Sequence, residues 1–419
     1  MTLHNEIELT LDGIAQGGAG VGRYEGQVVF ATGGLPGERV RVLLGERKPN
    51  YLRGLVSVVL EPSPDRVTPQ LDAGDHAPWQ HIAYAAQLRF KTTILREQLE
   101  RMAGLTDLPL APIIAAPQPW GYRNSARLHV AGSEVGYHAS GSQTVVALTS
   151  DPLLLPALNE ALAALAGQLP PNLLNGVTLR GSVAFGYALA LLHALPEADM
   201  AALAHLIQVW RALVPSLAGV TVAGSDLSSG ATTLHEELAG LIFSLSPTSF
   251  FQVNVAQAER MVTLVQDALQ PAAGQALLDL YAGVGTFALP LAAAGAEVTA
   301  VDEARDALAD GRRNAELNGI SGVRWVQSPV ERALPALVGP YAGVVLDPPR
   351  RGCHPAVLEE LARLRIPRLV YISCHPGILS RDLPALLRTG YRIESIQPID
   401  LFPQTPHIET VVVLALGEG

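Results

Sequence analysis

The chain has 419 residues, a net charge of −10, 48% hydrophobic residues and 2 cysteines. That length allows two or three domains and a sizeable core. Two cysteines exclude a disulfide framework, no apolar run is long and uncharged enough to span a bilayer, and the acidic balance argues against a nonspecific nucleic-acid coat. Met1-Thr2-Leu3-His4-Asn5-Glu6 lacks the basic and apolar regions of a signal peptide, so a cytoplasmic enzyme is expected.

Residues 1–65 read as all-β. Ile7–Leu11, Gln27–Ala31, Glu38–Leu44 and Gly54–Leu60 are short β-rich stretches, separated by glycine-dense turns such as Gln16–Gly22. Strands this short and closely spaced fit a small oligonucleotide-binding-type barrel. Glu38-Arg39-Val40-Arg41-Val42 alternates, so Arg39 and Arg41 share one face. Pro62-Ser63-Pro64 reads as a linker.

Residues 66–250 read as a mixed α+β unit. Helices are expected over Tyr84–Met102, Leu158–Leu169 and Met200–Leu213. Arg127–Val130, Val135–His138 and Val145–Leu148 read as strands of an antiparallel sheet. Arg123 and Arg127 join Arg39 and Arg41 as candidate cations of an RNA groove, although a solvated surface charge is the commoner role.

Residues 251–419 alternate strand and helix. Leu277–Leu280, Val298–Val301, Val323–Val326, Gly343–Leu346, Leu369–Ile372 and Val411–Leu414 are the strand candidates. The alternation predicts a doubly wound, mostly parallel Rossmann-like sheet.

Four motifs fall at its strand ends. Leu277–Leu280 runs into Tyr281-Ala282-Gly283-Val284-Gly285, a glycine turn that lets backbone approach a ligand. Asp302, nineteen residues beyond Gly283, ends the next strand and suits ribose hydroxyls. Nicotinamide and S-adenosylmethionine sites share this layout. Asp347-Pro348-Pro349-Arg350 delivers a rigid acid. Arg368–Ile372 ends at Ser373-Cys374-His375-Pro376, placing a thiol where ligands gather. His407 and Glu409, two apart, face the same way in an extended chain.

Cys353-His354-Pro355 repeats the Cys374-His375-Pro376 pattern. Two Cys-His pairs raise the question of zinc. Adjacent residues in an extended segment point opposite ways, and zinc ligands are spaced by two or more residues. No metal is expected, and Cys353 reads as a bystander.

Together, Asp347-Pro348-Pro349-Arg350, Ser373-Cys374-His375-Pro376 and Phe402-Pro403-Gln404-Thr405-Pro406-His407-Ile408-Glu409 resemble the RNA uracil-5 methyltransferases that use S-adenosylmethionine. Ser249-Phe250-Phe251-Gln252-Val253-Asn254 and Trp120-Gly121-Tyr122-Arg123-Asn124 add to the likeness, and the N-terminal barrel is similar to a TRAM domain. The resemblance implies that Cys374 is the nucleophile and Glu409 the base that removes the C5 proton. It implies that Gln252, Tyr281, Gly283, Asp302 and Asp347 hold S-adenosylmethionine. Arg350 and His407 would then lie near RNA. The family usually has Glu at the Asp302 position and Asn at the His375 position.

Many TRAM-bearing relatives hold an iron–sulfur cluster on four cysteines. The corresponding stretch here, Gly74-Asp75-His76-Ala77-Pro78-Trp79-Gln80-His81, has no cysteine, and Asp151 stands where another ligand is expected. No cluster is therefore expected, with packing around Trp79 and His81 in its place. The barrel favours 23S ribosomal RNA as partner, with a transfer RNA T-loop uridine as runner-up and a monomer as the state. A cytosine-5 methyltransferase, a nicotinamide dehydrogenase and a noncatalytic RNA-binding protein or chaperone are the competing classes.

Overall fold

The computed structural model describes residues 6–71, 76–139 and 141–417. Glu6–Ile14 (β1), Gly20–Tyr24 (β2), Gln27–Thr32 (β3), Arg39–Arg47 (β4) and Tyr51–Glu61 (β5) close into a barrel of order β1-β2-β3-β5-β4. The alternation seen in the sequence sets its faces. Ile7, Leu9, Leu11, Val40 and Val42 point inward, and Glu6, Glu8, Arg39 and Arg41 point out. The glycine-dense stretch expected as a turn is half strand. Gly20 and Gly22 belong to β2, where a Cβ would lie 2.7 Å from the Gly34 carbonyl oxygen or 2.5 Å from that of Thr10. These glycines serve close strand crossing as well as turning.

Pro62-Ser63-Pro64 is pinned rather than free. Ser63 N donates to Glu38 Oε1 (3.2 Å), and the fully buried Glu38 carboxylate also binds Arg66. Ile14 and Leu35 of the barrel region join the same apolar cluster as Trp79 and Ile82. The barrel is therefore packed onto the rest of the molecule.

Tyr84–Ala103 (α1) leads to a sheet formed by Ser125–Ala131 (β6), Glu134–His138 (β7), Val145–Ala147 (β8), Leu174–Gly181 (β9), Ala188–Ala194 (β10), Leu217–Val222 (β11) and Ser228–Gly230 (β12). The order is β12-β11-β10-β9-β6-β7-β8. β6, β7 and β8 pair antiparallel as expected, whereas β10 and β11 pair parallel. Pro156–Ala166 (α2) and Met200–Leu213 (α3) pack with this sheet around Trp210, Leu162 and Leu206. A hairpin of Leu234–Leu238 (β13) and Leu241–Leu245 (β14) follows.

The remaining elements are Val255–Leu269 (α4), Ala276–Leu280 (β15), Ala288–Ala293 (α5), Glu297–Asp302 (β16), Arg305–Leu317 (α6), Val323–Gln327 (β17), Val330–Ala333 (α7), Gly343–Leu346 (β18), Pro355–Leu364 (α8), Arg368–Ser373 (β19), Pro376–Leu387 (α9), Tyr391–Ile399 (β20) and Glu409–Leu416 (β21). Their sheet has the order β17-β16-β15-β18-β19-β21-β20. β15 to β19 pair parallel with their neighbours, and β21 runs antiparallel between β19 and β20. The strand order reverses at β15, which opens a crevice beyond the carboxyl ends of β15 and β18.

α1 packs on α9, with Ile94, Leu95 and Leu99 in one cluster with Leu379, Leu383 and Leu386. The segment after α1 adds parallel bridges to β20, Leu110 to Ile396 and Ile114 to Ile399. Packing thus crosses the boundary that composition suggests near residue 250. Among the described residues, no helix is long and apolar enough to cross a membrane.

Candidate active site

Strand topology gathers the site. Gly283 follows β15, Asp302 ends β16, Asp347 follows β18 and Cys374 follows β19. All are carboxyl ends of parallel strands. β21 is antiparallel, so its first residue, Glu409, lies at the same edge. Ser373 pairs with Thr410 across the β19–β21 ladder, which brings Cys374 and Glu409 alongside one another.

The repeated Cys-His-Pro pattern has a local structural cause. His375 caps α9, its Nδ1 accepting from Ile378 N (3.2 Å), and Pro376 opens the helix. His354 caps α8 in the same way, accepting from Ala356 N (3.2 Å), and Pro355 follows. Proline suits that first helical position. Cys353 itself is buried, with its N–H donating to Asp382 Oδ2 (3.0 Å). Burial pushes its thiol up to about 12. Among the described residues, no three His, Cys, Asp or Glu side chains group as metal ligands.

A cavity of about 790 Å³ is lined by Gln252, Tyr281, Gly283, Asp302, Asp347, Arg350, Cys374, His407 and Glu409. Nine of the residues singled out in the sequence therefore meet in one space. Gly283 has φ +56°, and a Cβ there would project into open space. Tyr281 has φ +68°, an uncommon conformation for a residue with a side chain. Its phenol turns toward Cys353 and packs against the apolar cluster below the sheet. Asp302 accepts from Gly283 N (2.8 Å) and Ala304 N (2.7 Å), and each carboxylate oxygen keeps a lone pair for a ribose hydroxyl. Gln252 Nε2 donates to Asp347 Oδ2 (3.2 Å). Phe250, 67% exposed, stands at the rim as an apolar surface for a ring.

The loop before β21 is held rigidly from α1. Gln87 and Lys91 are fully buried. Gln87 Nε2 donates to Gln404 Oε1 (2.8 Å), and Gln404 N donates back to Gln87 Oε1 (2.9 Å). Lys91 Nζ donates to Asp400 Oδ1 (2.5 Å) and to the Phe402 carbonyl (3.0 Å). The Trp120–Asn124 segment braces the same region. Tyr122 Oη donates to the Pro403 carbonyl (3.0 Å), and Asn124 Nδ2 donates to that of Gln252 (3.0 Å). Removing one partner of a buried pair strands the other charge. Lys91→Met is therefore expected to destabilise the protein by about 3–5 kcal/mol, measured by urea unfolding.

Electrostatics at the site favour neutral groups. Burial pushes the Cys374 thiol up to about 11, with Glu409 and Asp347 adding to the rise and Arg350 opposing it. Burial likewise raises Asp347 to about 7 and holds Glu409 well above the usual carboxylate range. Glu409 Oε1 has no hydrogen-bond partner among the described residues. His407 is pushed down to about 4 by burial and then by Arg350, so it is neutral at pH 7. The cavity contains the acids Asp347 and Glu409, the second of them buried, a fit for a cationic ligand such as a sulfonium.

The other sequence candidates lie elsewhere. Arg39 and Arg41 share the outer barrel face but are not in the cavity lining. Arg39 pairs with Glu61 (2.8 Å) and Arg41 with Glu8 (2.8 Å), so both cations are already matched by acids. Arg53 lies over the rings of Tyr51 (5.3 Å) and Phe30 (5.9 Å), a stronger stacking surface on the same barrel. Arg123 donates to the Ser125 carbonyl (2.9 Å), and Arg127 contacts His193 on the central sheet (2.8 Å).

In the cysteine-free stretch, Gly74 and Asp75 lie outside the described residues. Trp79 is buried as expected, and His76 and His81 meet different partners. His76 lies against the Tyr137 ring (5.0 Å), and Tyr137 Oη donates to the fully buried Asp151 (3.0 Å). His81 instead faces Arg66 and Glu38.

Comparison with known proteins shows which chains this one resembles. The tRNA (uracil-5-)-methyltransferase family profile matches residues 233–416, and a TRAM domain profile matches residues 4–56. An RNA methyltransferase of Thermosynechococcus vestitus is 38% identical, covering 97% of this chain and 97% of the relative. One from Synechocystis is 34% identical, covering 99% and 96%. The crystal structure of Pyrococcus abyssi tRNA (uracil-54, C5)-methyltransferase in complex with S-adenosyl-L-homocysteine superposes with a TM-score of 0.76 at 25% identity, covering 98% of this chain and all of that one. Similarity to RNA methyltransferases along nearly its whole length, with the two profile matches, places this protein in the S-adenosylmethionine-dependent RNA (uracil-5-)-methyltransferase family, with an N-terminal TRAM domain.

Proposed function

We propose that the protein methylates C5 of one uridine in 23S ribosomal RNA through a covalent bond between Cys374 and C6 of the base. The observation that carries this reading is the β19–β21 register, which sets Cys374 beside Glu409 in the cavity that also holds Gly283, Asp302 and Asp347. Asp302 would hold ribose hydroxyls, Asp347 and Gln252 would hold polar groups of the donor, and Gly283 would let its backbone come close. S-adenosylmethionine, when bound, supplies an electrophilic methyl group to C5.

Uracil C5 is too weak a nucleophile unaided. Cys374 first gives its thiol proton to solvent; the thiolate then adds to C6, and the C5–C6 π pair moves onto C5 and O4 as an enolate. Once C5 carries both a hydrogen and the methyl group, Glu409 takes the C5 proton. The freed pair re-forms the C5–C6 bond and expels the Cys374 thiolate, and passage of the Glu409 proton to solvent restores the enzyme. The base reaches this recessed site only by leaving its stack. We further propose that Cys374 and Glu409 act in a monomer in the cytoplasm, and that residues 1–65, 66–250 and 251–419 divide into RNA capture, substrate positioning and catalysis.

A transfer RNA T-loop uridine is the second reading, favoured by the likeness to the Pyrococcus abyssi transfer RNA enzyme over 98% of this chain. Because that likeness spans the barrel, the barrel alone does not separate the two targets. Mapping 5-methyluridine in ribosomal and transfer RNA from cells lacking the gene tests both. Loss at one 23S position supports the first reading, loss in the T-loop supports the second, and unchanged RNA refutes both.

Donor binding carries its own signature. Asp347, at about 7, is half protonated at neutral pH. A sulfonium cation nearby favours the carboxylate, so binding releases a proton from the Asp347–Glu409 pair. Calorimetry at pH 7 in two buffers of different ionisation enthalpy should detect this release. S-adenosylhomocysteine, lacking the charge, should release less. At pH 9, where Asp347 is already ionised, the Asp347 share of the difference should disappear.

A further inference from the structure

A second cavity of about 410 Å³ adjoins the first and shares Arg350, Cys374 and His407 with it. Its far wall comes from the barrel, from Gln16 and Gly17 in the β1–β2 turn. Gln16 Nε2 lies 3.2 Å from both ring nitrogens of His375. His375 Nδ1 also accepts from Ile378 N, so the same ring caps α9 and meets the barrel turn. The turn is fixed in place. A Cβ at Gly18 would lie 2.2 Å from Trp79 Nε1 and 3.1 Å from Pro406, and a Cβ at Gly17 would meet nothing within 4 Å. One glycine seats the turn, and the next leaves the cavity wall open.

We propose that Gln16 and His375 form a second nucleotide subsite beside Cys374, which takes the nucleotide flanking the target uridine. This rests on the RNA reading above. An RNA strand that inserts one base at Cys374 must place its neighbour within one backbone step, and the second cavity is the space adjoining that thiol on the barrel side. The volume falls within the range of small-ligand pockets. A carboxamide has two donors and two acceptor lone pairs, so contact with His375 leaves groups free to bond a base edge. Arg350, shared by both cavities, suits the phosphate that joins the two nucleotides. The barrel thereby contributes a wall of the reaction site as well as a binding surface.

The test uses the full-length enzyme and a short RNA containing the mapped uridine, with each flanking nucleotide in turn made abasic. Gln16→Ala should raise KM for the intact RNA about five- to tenfold. The maximal rate, S-adenosylmethionine affinity and melting temperature should not change, because the contact is equal in ground and transition states. One of the two abasic substrates should raise KM for the wild type by a similar factor, and Gln16→Ala should add nothing further on that substrate. Additive losses, or an unchanged KM for Gln16→Ala, would overturn the subsite. A wild-type enzyme that transfers no methyl group to any RNA would instead overturn the function on which it rests.

Discussion

Cys374→Ala is expected to reduce methyl transfer to RNA by a factor on the order of 10³ or more, while leaving S-adenosylmethionine binding intact. The thiol lies at the end of β19, and the neighbouring cap of α9 is made by His375 rather than by Cys374. Alanine at 374 therefore leaves the strand, the cap and the donor cavity in place. Only the step that makes C5 nucleophilic is lost. Single-turnover transfer of labelled methyl, run beside a donor-binding titration, separates the two effects. A fall in donor affinity equal to the fall in rate would mean that Cys374 holds the cavity together instead of reacting.

Glu409→Gln should slow product formation by about 10²–10⁴-fold, the usual contribution of a positioned base. Its signature differs from that of the cysteine variant. Addition to C6 still occurs, but the C5 proton stays, so a protein–RNA adduct should build up and survive denaturing electrophoresis. Glutamine keeps the size of the side chain in a position that is 3% exposed, so packing is conserved. In the free protein, burial and then Asp347 hold the Glu409 carboxyl well above the usual carboxylate range. Only its carboxylate form can take a proton, and positive charge arriving in the cavity favours that form. A Glu409→Gln enzyme that turns over at the wild-type rate without adduct would assign the proton to another group.

Much of this site was legible in the chain because parallel strands write their function at their ends. An apolar run followed by glycines, by Asp-Pro-Pro or by Ser-Cys marks a carboxyl edge, and the switch-point rule says that such edges converge. Glu409 was visible beside His407 from spacing, but its role as base came only through resemblance. Its position depends on β21 running antiparallel, and β20, the partner on its other side, did not stand out as a strand in the sequence. The Cys-His-Pro repeat raised the question of zinc and was set aside on spacing; its histidines and prolines form helix starts at both places. Arg39 and Arg41 were correctly placed on one face, but cross-strand acids are visible only once the register is known. Gln16 left no signal at all. It lies 359 positions from His375 in the chain, and only the packing of the barrel joins them.

The central claim, a covalent bond from Cys374 to the target uracil, is tested most directly with RNA carrying 5-fluorouridine at the mapped site. Fluorine cannot leave C5 as a proton, so the reaction should stop after methyl transfer with enzyme and RNA joined. Peptide mass spectrometry of the adduct should place the modified nucleotide on Cys374, and Cys374→Ala should form none. An adduct that persists in Cys374→Ala, or release of methylated 5-fluorouridine RNA by the wild type with no adduct at any time, would contradict the mechanism.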